Sequence, residues 1–84
     1  MVITTSKMLS HSLREIRHQQ KLSQVQLAEL ANIKQSTLSD FENNASNTKL
    51  ETLFKILSSL ELELVVQPRP KNSQQSEDEY GEIW

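Results

Sequence analysis

Gln35, Ser36, Ser39 and Asp40 share one side of a short helical repeat whose other side is Leu38 and Phe41. Each of the four carries a short or planar hydrogen-bonding group, the kind that can meet the edges of bases. Gln35 suits this best, because one N–H and the carbonyl oxygen of its amide can pair together with adenine N7 and N6; Lys34, one position earlier, could reach guanine O6 and N7. Catalytic chemistry has no comparable signature. No arrangement of nucleophile, base and oxyanion donors appears, a single glycine cannot build a phosphate-cradling loop, and the scattered carboxylates read as solvated faces.

A row of such side chains is useful only on a helix held at the surface, and the residues before it supply the holder. Ser23, followed three positions later by Gln26, is a capping box that predicts a helix starting at Gln24. Leu27, Ala28 and Ala31 then repeat at helical spacing, with alanines where a second helix must come close. Asn32 tolerates the left-handed conformation that a sharp turn requires, and Ile33 can plug the corner. Two short helices joined by a tight turn over residues 23–44 make a helix-turn-helix, which predicts a reader of DNA.

The surrounding elements follow from the same rules. Thr5 or Ser6 can cap a first helix running to about Gln20, with Leu9, Leu13 and Ile16 as its buried stripe. Residues 43–47 read as a loop. Thr48 and Glu51 repeat the capping-box spacing and open a fourth helix whose Leu50, Leu53, Phe54, Leu57 and Leu60 are expected in the core and at a dimer contact. Residues 61–67 change the period from 3.6 to two, placing Leu62, Leu64 and Val66 on one face until Pro68 stops the run. A lone strand leaves its backbone groups unpaired, so the expected partner is the same strand of a second copy, antiparallel across a two-fold axis, with Leu62, Leu64 and Val66 covering the helices beneath. The alternative is a frayed extension of the fourth helix. Paired copies would set two recognition helices about 34 Å apart and so require a pseudo-palindromic operator.

Composition agrees with one small domain, over residues 1–66, that gains stability from association. There are no cysteines, and His11 and His18 lie seven apart with no further ligand between them, so neither a metal nor a cofactor is expected. No apolar run approaches the roughly 20 residues needed to cross a membrane, and the start lacks a signal-peptide pattern. The expected location is the cytoplasm, on the nucleoid. The net charge of −2 is low for a DNA-binding protein, but the acidity sits at one end. Residues 1–50 carry Lys7, Arg14, Arg17, Lys21, Lys34 and Lys49 against four acids, whereas residues 67–84 carry two cations against four acids. With so few cations, neutral donors and helix N-termini should supply much of the grip on phosphates. Residues 67–84 are polar and poor in aliphatic side chains, and are expected to form a disordered acidic tail. Its Ile83 and Trp84 form an aromatic-anchored end suited to docking or to degradation, unless the tail has no role.

The segment SQVQLAELANIKQSTLSDFENN, at residues 23–44, resembles the Xre-type, phage-repressor-type helix-turn-helix family, a likeness that covers roughly residues 5 to 60. Through TLFKILSSLEL, at residues 52–62, and on to the last residue, the chain is further similar to those members that serve as antitoxins of kinase toxins. The resemblance implies an all-α fold: a four-helix, lambda-repressor-like domain with one C-terminal strand pairing across a homodimer. By position it implies base contacts from Lys34, Gln35, Ser36 and Ser39, and phosphate contacts from Gln24, Thr37, Asn43, Asn44 and Lys49, with Gln24 also bracing Gln35. Arg17 and Glu42 match a structural ion pair that ties the first helix to the recognition helix. Two positions depart from the family. Lys21 stands where many members have glycine, and Lys34 where many have a capping Ser or Thr. The implied function is that of an antitoxin and operon repressor whose partners are operator DNA and a HipA-type serine/threonine kinase toxin. The tail would dock Ile83 and Trp84 on that kinase or be recognised by a cytosolic protease. A phage-type regulator without a toxin partner, and an interaction module that no longer grips DNA, remain as alternatives.

Overall fold

The computed structural model describes residues 1–70; the rest of the acidic tail, including Ile83 and Trp84, lies outside the described residues. Among the described residues the chain forms helices α1 (Ser6–Gln19), α2 (Gln24–Ala31), α3 (Gln35–Asn43) and α4 (Leu50–Ser59), with one 3-10 turn, Ala45–Asn47, between the last two. None of these helices is long and apolar enough to cross a membrane.

Local chemistry accounts for most of the boundaries. The Thr5 hydroxyl accepts from the Met8 N–H and starts α1. At α2 both halves of the capping box form: the Gln26 N–H donates to Ser23 Oγ at 3.0 Å, and the Ser23 N–H donates to Gln26 Oε1 at 2.8 Å. The start of α4 departs from expectation. Its cap is Lys49, without a side-chain bond, and the proposed Thr48 and Glu51 box does not form. The Thr48 N–H instead donates to the Ala45 carbonyl at 3.1 Å, which draws Thr48 into the 3-10 turn and moves the helix start along by one residue.

Three helices end in the same way. Lys21, Asn32 and Glu61 all have positive φ, at 60°, 57° and 61°. Each is followed by an apolar residue whose N–H reaches back five positions: Leu22 to the Arg17 carbonyl, Ile33 to Ala28 and Leu62 to Leu57. Leu22, Ile33 and Leu62 then pack against the core, so each stop also secures the chain leaving the helix. The left-handed Glu61 corrects two expectations at once: α4 has no frayed extension, and an extended run can begin only at residue 62. Glu61→Gly is expected to raise stability by about 1 kcal/mol, since it relieves left-handed strain and removes an anion from a helix C-terminus. A melting curve checks this; an unchanged or lowered midpoint contradicts it.

The core is built by Leu13, Leu27, Ala28, Leu38, Phe41, Leu53, Ile56, Leu57 and Leu60. Ala28 and Ala31 let α3 and α4 approach α2. Leu13 is buried, while Leu9 and Ile16 only flank the core. On α4 the buried stripe is rotated from the expected one. Ile56 is fully enclosed, whereas Leu50 is 71% and Phe54 48% exposed. Both sets satisfy an i, i+3, i+4, i+7 template, and the packing of α4 on α2 selects Leu53, Ile56, Leu57 and Leu60. Residues 62–70 form neither helix nor strand within the chain. Of the three side chains expected to cover the helices, Leu62 packs on the core, while Leu64 is half-exposed and Val66 almost fully so.

Candidate nucleic-acid interface

Because α3 buries Leu38 and Phe41, its other face is turned outward. Lys34, Gln35 and Ser36 are exposed at its N-terminal end, Ser39 is half-buried one turn on, and Asp40 is exposed beside it. Lys34 caps α3 without a side-chain hydrogen bond, so the first N–H groups of the helix keep their capacity for an external acceptor. Asn43 donates from Nδ2 to Ser39 Oγ at 3.4 Å, tying a base-edge candidate to a phosphate candidate. The two roles therefore share one polar surface.

A polar cleft lies beside it, between α3 and the start of α4. Thr37, Asp40, Asn43 and Asn44 line one part, and Asn47, Thr48, Lys49 and Thr52 the other. Four of the five residues expected at phosphates (Thr37, Asn43, Asn44 and Lys49) meet there. Asn44 is partly occupied, since its Oδ1 accepts from the Ser46 N–H at 3.3 Å and the Ser46 hydroxyl at 2.7 Å, leaving its NH2 group to face outward partners. Neither type nor spacing marks Asn47 and Thr52 in the sequence; Asn47 reaches the cleft from the 3-10 turn and Thr52 from the first turn of α4.

Gln24 stands apart from the cleft, and its surroundings explain its place. Arg17 and Glu42 form a buried ion pair, with Arg17 Nε donating to Glu42 Oε2 at 2.7 Å and an Arg17 terminal nitrogen donating to Oε1 at 3.1 Å. The other terminal nitrogen donates to the Leu22 carbonyl at 2.8 Å, which fixes the turn between α1 and α2. Gln24 Nε2 adds a third donor to the carboxylate, at 2.9 Å to Oε1, and Gln24 Oε1 accepts from Gln35 Nε2 at 3.4 Å. Helices α1, α2 and α3 are thus joined by one polar chain, from an arginine in the core to a glutamine at the surface. Among the described residues, no buried side-chain nitrogen or oxygen lacks a partner.

His11 and His18 are both exposed, and His18 Nε2 lies 3.3 Å from an Arg17 terminal nitrogen. Among the described residues no group of three or more candidate ligands could hold a metal. Leu62, Leu64 and Val66 follow the end of α4, and among the described residues no backbone hydrogen bond pairs this stretch beyond Leu62.

The helix-turn-helix family model matches residues 13–66. Antitoxin HipB of Escherichia coli strain K12 is 40% identical over 76 residues, which are 90% of this chain and 86% of that protein. The immunity repressor protein of Bacillus phage phi105 is 40% identical over 52 residues, or 62% of this chain but only 36% of that protein. Among solved structures, the HipB-like chain in a HipA-HipB-O2-O3 complex superimposes with a TM-score of 0.80 at 40% identity, covering 83% of this chain and 99% of that one. The chain belongs to the Xre-type helix-turn-helix family, in the company of the HipB antitoxins.

Proposed function

We propose that this protein is an antitoxin and a sequence-specific DNA-binding repressor of its own toxin–antitoxin operon. It acts by binding: two copies hold a pseudo-palindromic operator, and the same protein binds and neutralises a HipA-type serine/threonine kinase toxin in the cytoplasm, on the nucleoid. The observation that carries this reading is the outward row Lys34, Gln35, Ser36 and Ser39 on a helix locked to the core, in a chain similar along most of its length to HipB. The phage repressor likeness spans about a third of that protein, which favours the antitoxin over the phage-type alternative.

In this reading α3 enters the major groove. Gln35 pairs with adenine, Lys34 reaches a guanine, and Ser36 and Ser39 meet neighbouring edges. Gln24, Thr37, Asn43, Asn44 and Lys49 hold phosphates on either side, helped by the open N-terminus of α3. Pairing through residues 62–66 brings the second copy, and Ile83 and Trp84 of the acidic tail serve as an anchor for the kinase. Gel shifts on the DNA upstream of the gene test the first part. Gln35→Ala is expected to lose about 1 to 3 kcal/mol on the cognate operator and to relax preference at one base pair, whereas Lys49→Ala weakens all duplexes alike. Equal losses for Gln35→Ala on cognate and random DNA would remove its assigned role. Co-purification of the neighbouring kinase with the full chain tests the second part, and its absence would return the protein to the phage-type reading.

A further inference from the structure

We infer that Glu42, which lies too deep to touch DNA, decides which base Gln35 accepts, by fixing the orientation of two successive amides. This rests on Gln35 being a reader of base edges, as proposed above.

A carboxylate has no proton to give, and Glu42 is buried with Arg17 donating to both of its oxygens at 2.7 and 3.1 Å, which holds it in place. The Gln24 amide beside it at 2.9 Å must therefore turn its NH2 group inward, since its carbonyl oxygen would face an anion. That leaves Gln24 Oε1 facing Gln35, so Gln35 in turn presents Nε2 to it, at 3.4 Å. One N–H of Gln35 is spent on this contact. A single N–H and an unoccupied carbonyl oxygen remain to face the groove.

That pair complements adenine, which offers the acceptor N7 and the donor N6. Guanine offers two acceptors, N7 and O6, and would meet the Gln35 oxygen with its own. Were the chain reversed, with Gln24 donating and Gln35 accepting, both N–H groups of Gln35 would face outward and guanine would fit. Only the acceptor-only group at Glu42 forbids this reversal. Glu42 is a positioning residue, remote from the base and selective through polarity.

The test is selection from a randomised duplex library by the full-length protein, followed by sequencing. The wild type should enrich adenine over guanine at one position in each half-site, and Gln35→Ala should erase preference there. Glu42→Gln, whose amide can donate or accept, and Gln24→Met, which cuts the chain while leaving Arg17 on Glu42, should each lower the adenine to guanine ratio at that position by about tenfold, with the other positions unchanged. Gln24→Met keeps the test decisive if Glu42→Gln does not fold, because a lost phosphate contact weakens every sequence alike and leaves base ratios as they were. If Gln35→Ala flattens the position while Gln24→Met retains the wild-type ratio, the inference is overturned and the base-reading role survives. If Gln35→Ala changes no position, or the wild type enriches no sequence, base reading by Gln35 itself is wrong.

Discussion

Arg17→Met is expected to lower the stability of the domain by about 3 to 5 kcal/mol, because it strands the Glu42 carboxylate in the core. Arg17 is 6% and Glu42 8% exposed, so water cannot take over the solvation of the remaining charge. The loss compounds, since the Leu22 carbonyl also gives up its 2.8 Å donor at the turn where α1 hands over to α2. Domains hold about 0.05 to 0.15 kcal/mol per residue, or roughly 4 to 10 kcal/mol over a structure of this length, so the variant should be partly unfolded at moderate temperature. Urea denaturation followed by circular dichroism measures the effect. A midpoint equal to wild type would show that the pair contributes nothing, whereas Arg17→Met combined with Glu42→Leu should recover much of the loss, because an apolar pair carries no desolvation cost. A double variant no better than the single one would mean that the turn contact, and not the stranded charge, is what matters.

Leu64→Pro is expected to turn the protein into a monomer and to reduce operator affinity by at least about 100-fold, because the gain from linking two half-sites is lost. The substitution removes a backbone N–H in the middle of the stretch proposed to pair with its copy, and the ring clashes with a neighbouring strand. The same stretch leaves Leu64 52% and Val66 90% exposed on one face, an apolar surface that a second chain would cover. Helix α4 ends at Ser59 behind a complete turn, so the change should leave the helices intact. Light scattering and gel shift on one sample decide the matter. A dimer that persists in Leu64→Pro would eliminate pairing through residues 62–66, and a monomer that still held a palindrome at wild-type affinity would remove the need for two copies.

Both predictions use residues that the sequence singles out, yet they became legible in different ways. The capping box of Ser23 and Gln26 and the left-handed Asn32 can be read from sequence because each is settled within one turn of backbone, among residues at most five apart. Once those fixed α2 and the turn, the register of α3 followed, with Leu38 and Phe41 inward and Gln35, Ser36 and Ser39 turned away from the core. The pairing of Arg17 with Glu42 is legible only through likeness to a family. Their spacing of 25 residues carries no periodic signal of its own.

The sequence by itself determined where α2 and α3 begin and which of their faces are apolar, and narrowed the cap of α1 to Thr5 or Ser6, since those features arise from contacts between near neighbours along the chain. Tertiary structure alone decided that Ile56 is buried while Leu50 and Phe54 are not, that Lys49 and not Thr48 opens α4, that Glu61 turns left-handed, and that Glu42 takes a bond from Gln24. In each of these cases local chemistry allowed two arrangements: two phases of one apolar stripe, two adjacent caps, a strand or a turn, a solvated or a bonded amide. The choice between them fell to elements distant in sequence, whose packing distinguishes states that neighbours along the chain cannot.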